Sequence, residues 1–229
     1  MAKVQSPVPD HTPAAERFLR GLIEANTRFS VLQVGSYDGV SNDPVHELIR
    51  QYEHVRAVLL EPQPAPFAAL EGLWRDNRRV TTLRCALADS CGERPLYVIA
   101  EAHKHRHPFP DQVASFLRSQ VEFAYGRYAW NAPPDAITSV AVPTLDWPTL
   151  VQLHGPFDLV AIDAEGYDAE ILQQIDFANV PPGLILYEHR CLSSAVQQRC
   201  EQFLADRGYV VRRINKADTL ASRHGPPGF

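Results

Sequence analysis

No stretch of this sequence approaches the roughly 20 consecutive apolar residues that a membrane span requires. The opening MAKVQSPVPDHTP has no apolar core of the kind a signal peptide carries. Cysteine is scarce: Cys85, Cys91, Cys191 and Cys200 form no C-x-x-C pair. Without a secretory context they are expected as reduced thiols in the cytoplasm. Basic runs are missing as well, nothing exceeding Arg78-Arg79 and Arg212-Arg213. With a net charge of −5, nucleic acid is not an expected partner. Repeats and a dividing linker are absent, so the 229 residues read as one α/β domain, long enough for a full core. The dinucleotide fingerprint G-x-G-x-x-G is also lacking, and with it the glycine loop that cradles a pyrophosphate. A nucleotide-dependent oxidoreductase therefore stands as a weaker alternative.

What is present centres on Ser30-Val-Leu-Gln-Val-Gly-Ser-Tyr-Asp-Gly-Val40. Val31, Leu32 and Val34 form a short apolar run, read as a buried strand. It runs into a turn bearing Gly35 and Gly39, and Asn42-Asp43-Pro44 then offers cap residues and a first-turn proline. Strand, glycine turn, helix is how an open α/β sheet builds a nucleotide site, because glycine admits a ligand to the backbone. A second apolar run, Arg56 to Leu60, ends in Glu61-Pro62, 22 positions after Gly39. A carboxylate at that distance and at a strand tip can take both hydroxyls of a ribose. The plain alternative is a βαβ unit with a tight turn.

Along the chain, residues 1–11 read as a loose Pro-rich arm. Thr12-Pro13 opens a helix with Phe18, Leu19, Leu22 and Ile23 on one face. Pro64 to Asn77 is a helix with Phe67, Leu70 and Trp74 inward. Val80 to Leu87 reads as a third strand, and Pro95 to Ile99 as a further strand paired antiparallel. Residues 101–136 interrupt the rhythm, with a polar loop and then helical spacing from Asp111 to Tyr128. An insertion there is where a substrate lid would sit, or simply a surface helix. His103, His105 and His107 alternate, but Lys104, Arg106 and Pro108 among them favour a solvated loop over a metal site. The tail, residues 223–229, reads as flexible.

The second informative stretch is Pro156-Phe-Asp-Leu-Val-Ala-Ile-Asp-Ala-Glu-Gly-Tyr-Asp168. Leu159 to Ile162 is a buried strand, and Asp163 sits at its carboxyl end, the edge where open α/β sheets bind ligands. With an extended backbone, Asp163 and Glu165 share a side, and two such carboxylates call for a proton, a cation or a donor between them. Pro181 to Arg190 reads as the fifth core strand, with Glu188 and His189 at its tip. His189 is either a base titrating near neutrality or a histidine bonded to backbone. A helix from Ser193 to Arg207, a strand over 208–214 and a hairpin partner at 218–221 complete the chain.

These motifs together resemble the FkbM family of S-adenosylmethionine (SAM) methyltransferases. The resemblance runs from about residue 30 to about 221. It rests on Val34-Gly-Ser-Tyr-Asp-Gly39, Glu61-Pro62, Arg84-Cys-Ala-Leu-Ala-Asp89, Ala114-Ser-Phe116, Val142-Pro-Thr-Leu-Asp146, Ile162-Asp-Ala-Glu-Gly166, Tyr187-Glu188 and Asp218-Thr-Leu-Ala221. It implies a class I, Rossmann-like α/β sandwich: a mostly parallel sheet with a C-terminal antiparallel strand and helices on both faces. It also implies SAM as cofactor and a hydroxyl of a sugar or secondary metabolite as methyl acceptor. Gln33, Gly35, Ser36, Tyr37 and Asp38 would then hold the methionine end, Glu61 and Pro62 the ribose, and Cys85, Ala86 and Leu87 flank adenine. Asp163 would serve both cofactor and catalysis. Glu165, Glu188 and His189 are the other candidates for acceptor binding and base chemistry, and Ser115 and Phe116 would close over the acceptor. A variant has Asp163, Glu165 and Glu188 holding Mg²⁺ or a similar hard cation. Gln33, where the family's usual residue is acidic, and Ala161, where it is Lys, depart from the pattern. A catalytically silent binding module is the second alternative.

Overall fold

The computed structural model describes residues 13–41 and 43–223. The arm expected at 1–11, the cap residues Thr12 and Asn42, and the tail beyond Arg223 lie outside the described residues. The chain opens with helix α1 (Pro13–Glu24), strand β1 (Phe29–Val34), helix α2 (His46–Gln51), strand β2 (Val55–Leu60) and helix α3 (Pro64–Trp74). Strands β3 (Val80–Leu83), β4 (Ala86–Leu87) and β5 (Gly92–Ile99) follow, then 3₁₀ turns at Glu101–Arg106 and Pro110–Gln112 and helix α4 (Arg118–Gly126). Strand β6 (Ile137–Leu145), helix α5 (Trp147–His154), strand β7 (Leu159–Ile162) and helix α6 (Asp168–Gln174) lead to strand β8 (Leu184–Glu188). Helix α7 (Ser194–Ala205) and strands β9 (Val210–Arg213) and β10 (Asp218–Ser222) end the fold.

Seven strands form the main sheet in the order β3-β2-β1-β7-β8-β10-β9. The pairs β3/β2, β2/β1, β1/β7 and β7/β8 are parallel, and β10 runs antiparallel to both its neighbours. Strand period explains how so short a set of strands fills two cores. Leu32, Val34, Val58, Leu60, Val160, Ile162 and Ile185 point to one face, where they meet Trp147, Leu150, Ile171, Leu172 and Leu204. The alternate residues Val31, Ala57, Leu59, Leu159, Ala161 and Leu184 point to the other, against Ile23, Leu48, Ile49, Leu70 and Trp74. Helices thus cover both faces, and β1 is the strand from which connections depart in opposite directions. Ligands of open α/β sheets bind at the carboxyl ends beside such a switch.

Two elements differ from the sequence expectation. Val80 to Leu87 is not one strand: β3 pairs with β2, whereas β4 leaves for a second, three-stranded sheet in the order β4-β6-β5. The break falls at Arg84-Cys85, where the Cys85 N–H turns back to the Leu83 carbonyl at 3.0 Å. The helix expected over 111–128 begins only at Arg118, because Ala114 to Leu117 is extended enough for Ser115 to form a bridge with Tyr97 of β5. The antiparallel pairing expected of the strand near Pro95 is present, along all of β5 against β6. No helix among the described residues is long and apolar enough to cross a membrane.

Candidate active site

The tips of β1, β2, β7 and β8 meet the insertion at a cleft of about 690 Å³, within the roughly 300–1,000 Å³ typical of small-molecule sites. Gln33, Gly35, Ser36 and Tyr37 line it from β1, and Glu61 and Pro62 from β2. Cys85, Ala86 and Leu87 line it beside β4, Asp163 and Glu165 after β7, Glu188 at the end of β8, and Ser115 and Phe116 from the insertion. Two residues expected at the site are not among those lining it, Asp38 and His189. The Asp38 carboxylate accepts from Val40 N, Ser41 N and Ser41 Oγ, so it holds the turn together. The buried His189 ring lies 3.0 Å from Thr219 Oγ1 through Nδ1, on the β10 side of its strand. Burial, then the nearby Arg213, pushes its pKa below the usual value.

The glycine turn serves a different end from the one expected. Gly35 has φ +81°, and a Cβ there would lie 1.9 Å from the Asp163 carbonyl oxygen. Gly35 is therefore fixed by the close passage of two strand ends rather than by a ligand. Gly39, at φ +75°, is crowded by Leu70 and Trp74 of α3. Tyr37 (φ 46°) and Glu165 (φ 47°), in contrast, are left-handed without being glycine. Such backbone strain collects at functional sites, and both residues line the cleft.

Glu61 ties the turn to the second strand: its carboxylate accepts from Tyr37 N at 3.0 Å and Gln63 N at 2.8 Å. Burial outweighs these bonds and raises its pKa to about 7. Beside Gln33 stands Asp43, which sequence reasoning read only as a cap. It does accept from Val45 N and His46 N, and it also lines the cleft and takes a bond from the Gln33 side chain. Among the described residues, buried side-chain oxygens of Gln33, Ser36 and Glu188 have no protein partner, namely Gln33 Oε1, Ser36 Oγ and Glu188 Oε2. Buried polar atoms are rarely left so, and at a cleft wall they are places for a ligand's polar groups. The donor and acceptor set thus fits an adenosine-bearing ligand: Glu61 for ribose hydroxyls, apolar Ala86 and Leu87 for a base, and Gln33, Ser36 and Asp43 for polar groups at the far end.

At the other end carboxylates crowd together. Asp163 is open to the cleft but deep within it. The loss of bulk water, then Glu188, Glu165, Asp168 and Asp218 nearby, hold its pKa well above the carboxylate range. Glu165 is raised to about 7, first by burial and then by Glu188, although the Cys191 thiol donates to its Oε2 at 3.4 Å. Asp168, fully buried, accepts from Gly166 N at 3.1 Å and is also raised, by burial above all. Glu188 Oε1 pairs with Arg190 Nη2 at 2.6 Å. The extended Asp163–Glu165 geometry expected does not form, because β7 ends at Ile162 and Glu165 is left-handed; both side chains reach the cleft all the same.

The insertion is strapped across the cleft, from the β2 side to the β8 side. Gln63 Nε2 donates to the Asp111 carbonyl, and Gln120 Nε2 to the Cys191 carbonyl. Phe116 packs edge-on against Tyr167 at 5.1 Å, and the Arg94 guanidinium lies over the Phe116 ring at 4.7 Å. Tyr167, Arg94, Arg190 and Cys191 were missed in the sequence, since each acts from a loop or a neighbouring sheet with no motif of its own. The three alternating histidines do not assemble: His103 pairs with Asp135 at 3.4 Å, while His107 is buried edge-on against Tyr128.

Strand order, the antiparallel strand β10 within the otherwise parallel main sheet, and a cleft at the carboxyl ends make this a class I, Rossmann-like methyltransferase fold. The profile of the methyltransferase FkbM domain matches residues 33–211, most of the chain, and the chain belongs to that family. Similar solved structures include an FkbM methyltransferase from Methylobacillus flagellatus KT, at 13% identity, TM-score 0.48, covering 86% of this chain and 45% of that one. Another is Aeropyrum pernix fibrillarin in complex with natively bound S-adenosyl-L-methionine, at 16% identity, TM-score 0.45, covering 90% of this chain and 73% of that one. A third is precorrin-6y C5,15-methyltransferase from Geobacter metallireducens, at 11% identity, TM-score 0.43, covering 89% and 85%. No protein of curated function matches the chain.

Proposed function

We propose that this protein is a SAM-dependent O-methyltransferase acting on a hydroxyl of a sugar or secondary-metabolite small molecule. The observation that carries the reading is the cluster Asp163, Glu165 and Glu188 in the same cleft as Glu61. One end of the cleft has the groups to hold an adenosine, and the other has groups able to take a proton. SAM, when bound, supplies a methyl group made electrophilic by its sulfonium. The chain's own part is to align the acceptor and to receive the hydroxyl proton. Asp163, which lines the cleft just past the end of β7 and whose pKa burial raises, is the group placed to take that proton; Glu165 and Glu188 stand beside it. Glu61 would take the ribose hydroxyls. Asp43 offers near Gln33 the carboxylate that position 33 itself lacks.

Phe116 and Ser115 would cover the acceptor, although the Ser115 hydroxyl already accepts from Leu117 N at 3.1 Å. The cleft is lined by many carboxylates and Arg190, and net charge is −5; both favour a small molecule over nucleic acid. The four free cysteines fit a reducing cytoplasm.

The test is transfer of labelled methyl from SAM to a panel of hydroxylated sugars and metabolites. Turnover by the wild type is expected, with Asp163→Asn lowering kcat by roughly 10²- to 10⁴-fold, the range of a general base. Turnover on amine acceptors alone, or undiminished turnover by Asp163→Asn, would overturn the O-methyl reading or the role of Asp163 respectively.

A further inference from the structure

The hard-cation trio suggested by the sequence was Asp163, Glu165 and Glu188. The three residues whose ligand atoms converge in the structure are Glu165, Glu188 and Cys191, one atom of each lying within 4.8 Å of the others. Asp163 is outside that set. We propose that Glu165, Glu188 and Cys191 form a binding site for a borderline divalent cation of the Zn²⁺ kind, with its open side toward the acceptor end of the cleft.

Convergence of acidic groups does not by itself make a site, and the case rests on more. Glu188 is 3% exposed, and its two oxygens are treated differently. Arg190 holds Oε1 at 2.6 Å, while Oε2 is buried with no protein partner. A buried carboxylate oxygen left without a donor is costly, and a cation supplies what the protein does not. The backbone of Glu165 is left-handed, a conformation a residue with a Cβ adopts only when its surroundings hold it there, and it delivers the carboxylate to this cluster. Gln120, reaching from the insertion, fixes the Cys191 carbonyl at 3.1 Å. Cys191 is only half-buried, and Glu165 and Glu188 line the cleft, so an ion can reach the two carboxylates from that side.

The donor set decides the class of ion. Mg²⁺ and Ca²⁺ take oxygen ligands in larger number, whereas a thiolate with two carboxylates suits Zn²⁺ or Co²⁺. Charge agrees: two carboxylates and a thiolate, less the Arg190 guanidinium, leave two negative charges for a divalent ion to balance. Three protein ligands leave a fourth tetrahedral position open, as in sites where zinc meets substrate. Glu165 and Glu188 line the cleft, so that position faces the acceptor.

The site is tested independently of any methyl transfer. Untagged full-length protein, stripped with chelator, is titrated with Co²⁺ and followed by near-ultraviolet absorption, then with Zn²⁺ and Mg²⁺ by calorimetry. One equivalent of Co²⁺ bound with sulfur-to-cobalt charge-transfer absorption is expected, displaced by Zn²⁺ and unaffected by millimolar Mg²⁺. Cys191→Ala should abolish the absorption, and Glu188→Gln should weaken Zn²⁺ binding at least tenfold, with circular dichroism confirming that each variant is folded. No charge-transfer band in the wild type overturns the proposal, as does a band that survives in Cys191→Ala, since Cys85, Cys91 or Cys200 would then be the ligand. Absence of the band in the wild type overturns the site even if a variant fails to fold, and Cys191→Ser takes the place of Cys191→Ala if the latter does not fold. Binding of S-adenosylhomocysteine without this band would leave the methyltransferase reading intact and remove only the metal.

Discussion

At the scale of single residues, the chain's glycines and strained positions divide the labour of the turn. Gly35 is compelled by backbone, not by ligand: a methyl group would overlap the Asp163 carbonyl. Gly35→Ala should therefore unfold or severely destabilise the protein, by roughly 3 kcal/mol or more, given a positive φ and an immovable neighbour. Chemical denaturation measures this directly, and a loss under 1 kcal/mol would show that the two strand ends can part. The sequence made the turn and the strand-tip carboxylates legible, because apolar strands of period two and the Glu61 spacing are local signals. Several contributions were not legible. Asp43 looks like a cap and is one, but its place beside Gln33 depends on how far α2 folds back. His189 follows Glu188 directly, just past the end of β8, and its ring turns to Thr219 of β10 rather than into the cleft, the direction that strand alternation from Glu188 favours.

At the scale of elements, the second sheet is the unit that local pattern could not reveal. β4 pairs with β6, a strand some fifty residues on, and only that partner pulls it out of line with β3. The insertion is held to this sheet by the Tyr97–Ser115 bridge and by Arg94, whose guanidinium stacks on Phe116 and lies 5.7 Å from the Tyr167 ring. A stacked guanidinium contributes about 1 kcal/mol in a partly exposed setting, so Arg94→Ala should cost about that much globally. Its local effect should be larger. Hydrogen exchange across residues 114–117 is expected to speed up, while the amides of β1 and β7 stay protected. Unchanged exchange in 114–117 would mean that the Ser115 bridge alone secures the cover.

At the scale of the whole molecule, the fold concentrates acidic groups at one sheet edge and places them where water is scarce. Glu61 and Glu165 both have pKa values near 7, and Asp163 and Asp168 are raised as well. The native state therefore keeps protons that the unfolded chain gives up near pH 4, so the unfolded state binds fewer protons above that point. The contribution of these groups to the stability of the ligand-free protein should be full below about pH 4 and should decline as pH rises from there through 7. Thermal melts between pH 5 and 8 check this, with a falling Tm expected. A Tm that rises across that window would show these carboxylates to be ionised and stabilised in the native state. A bound cation or ligand should flatten the decline by compensating the charge that appears.

In the proposed reading, Glu61 and the β1 turn hold an adenosyl cofactor at this edge. The most direct measurement is calorimetric titration with S-adenosylhomocysteine of the wild type and of Glu61→Ala. Binding in the micromolar range, weakened at least tenfold by the substitution while the variant stays folded, is the predicted result. Absence of binding by the folded wild type would overturn the cofactor site and favour a methyltransferase fold kept as a silent binding module. Equal affinity in both proteins would place the cofactor elsewhere.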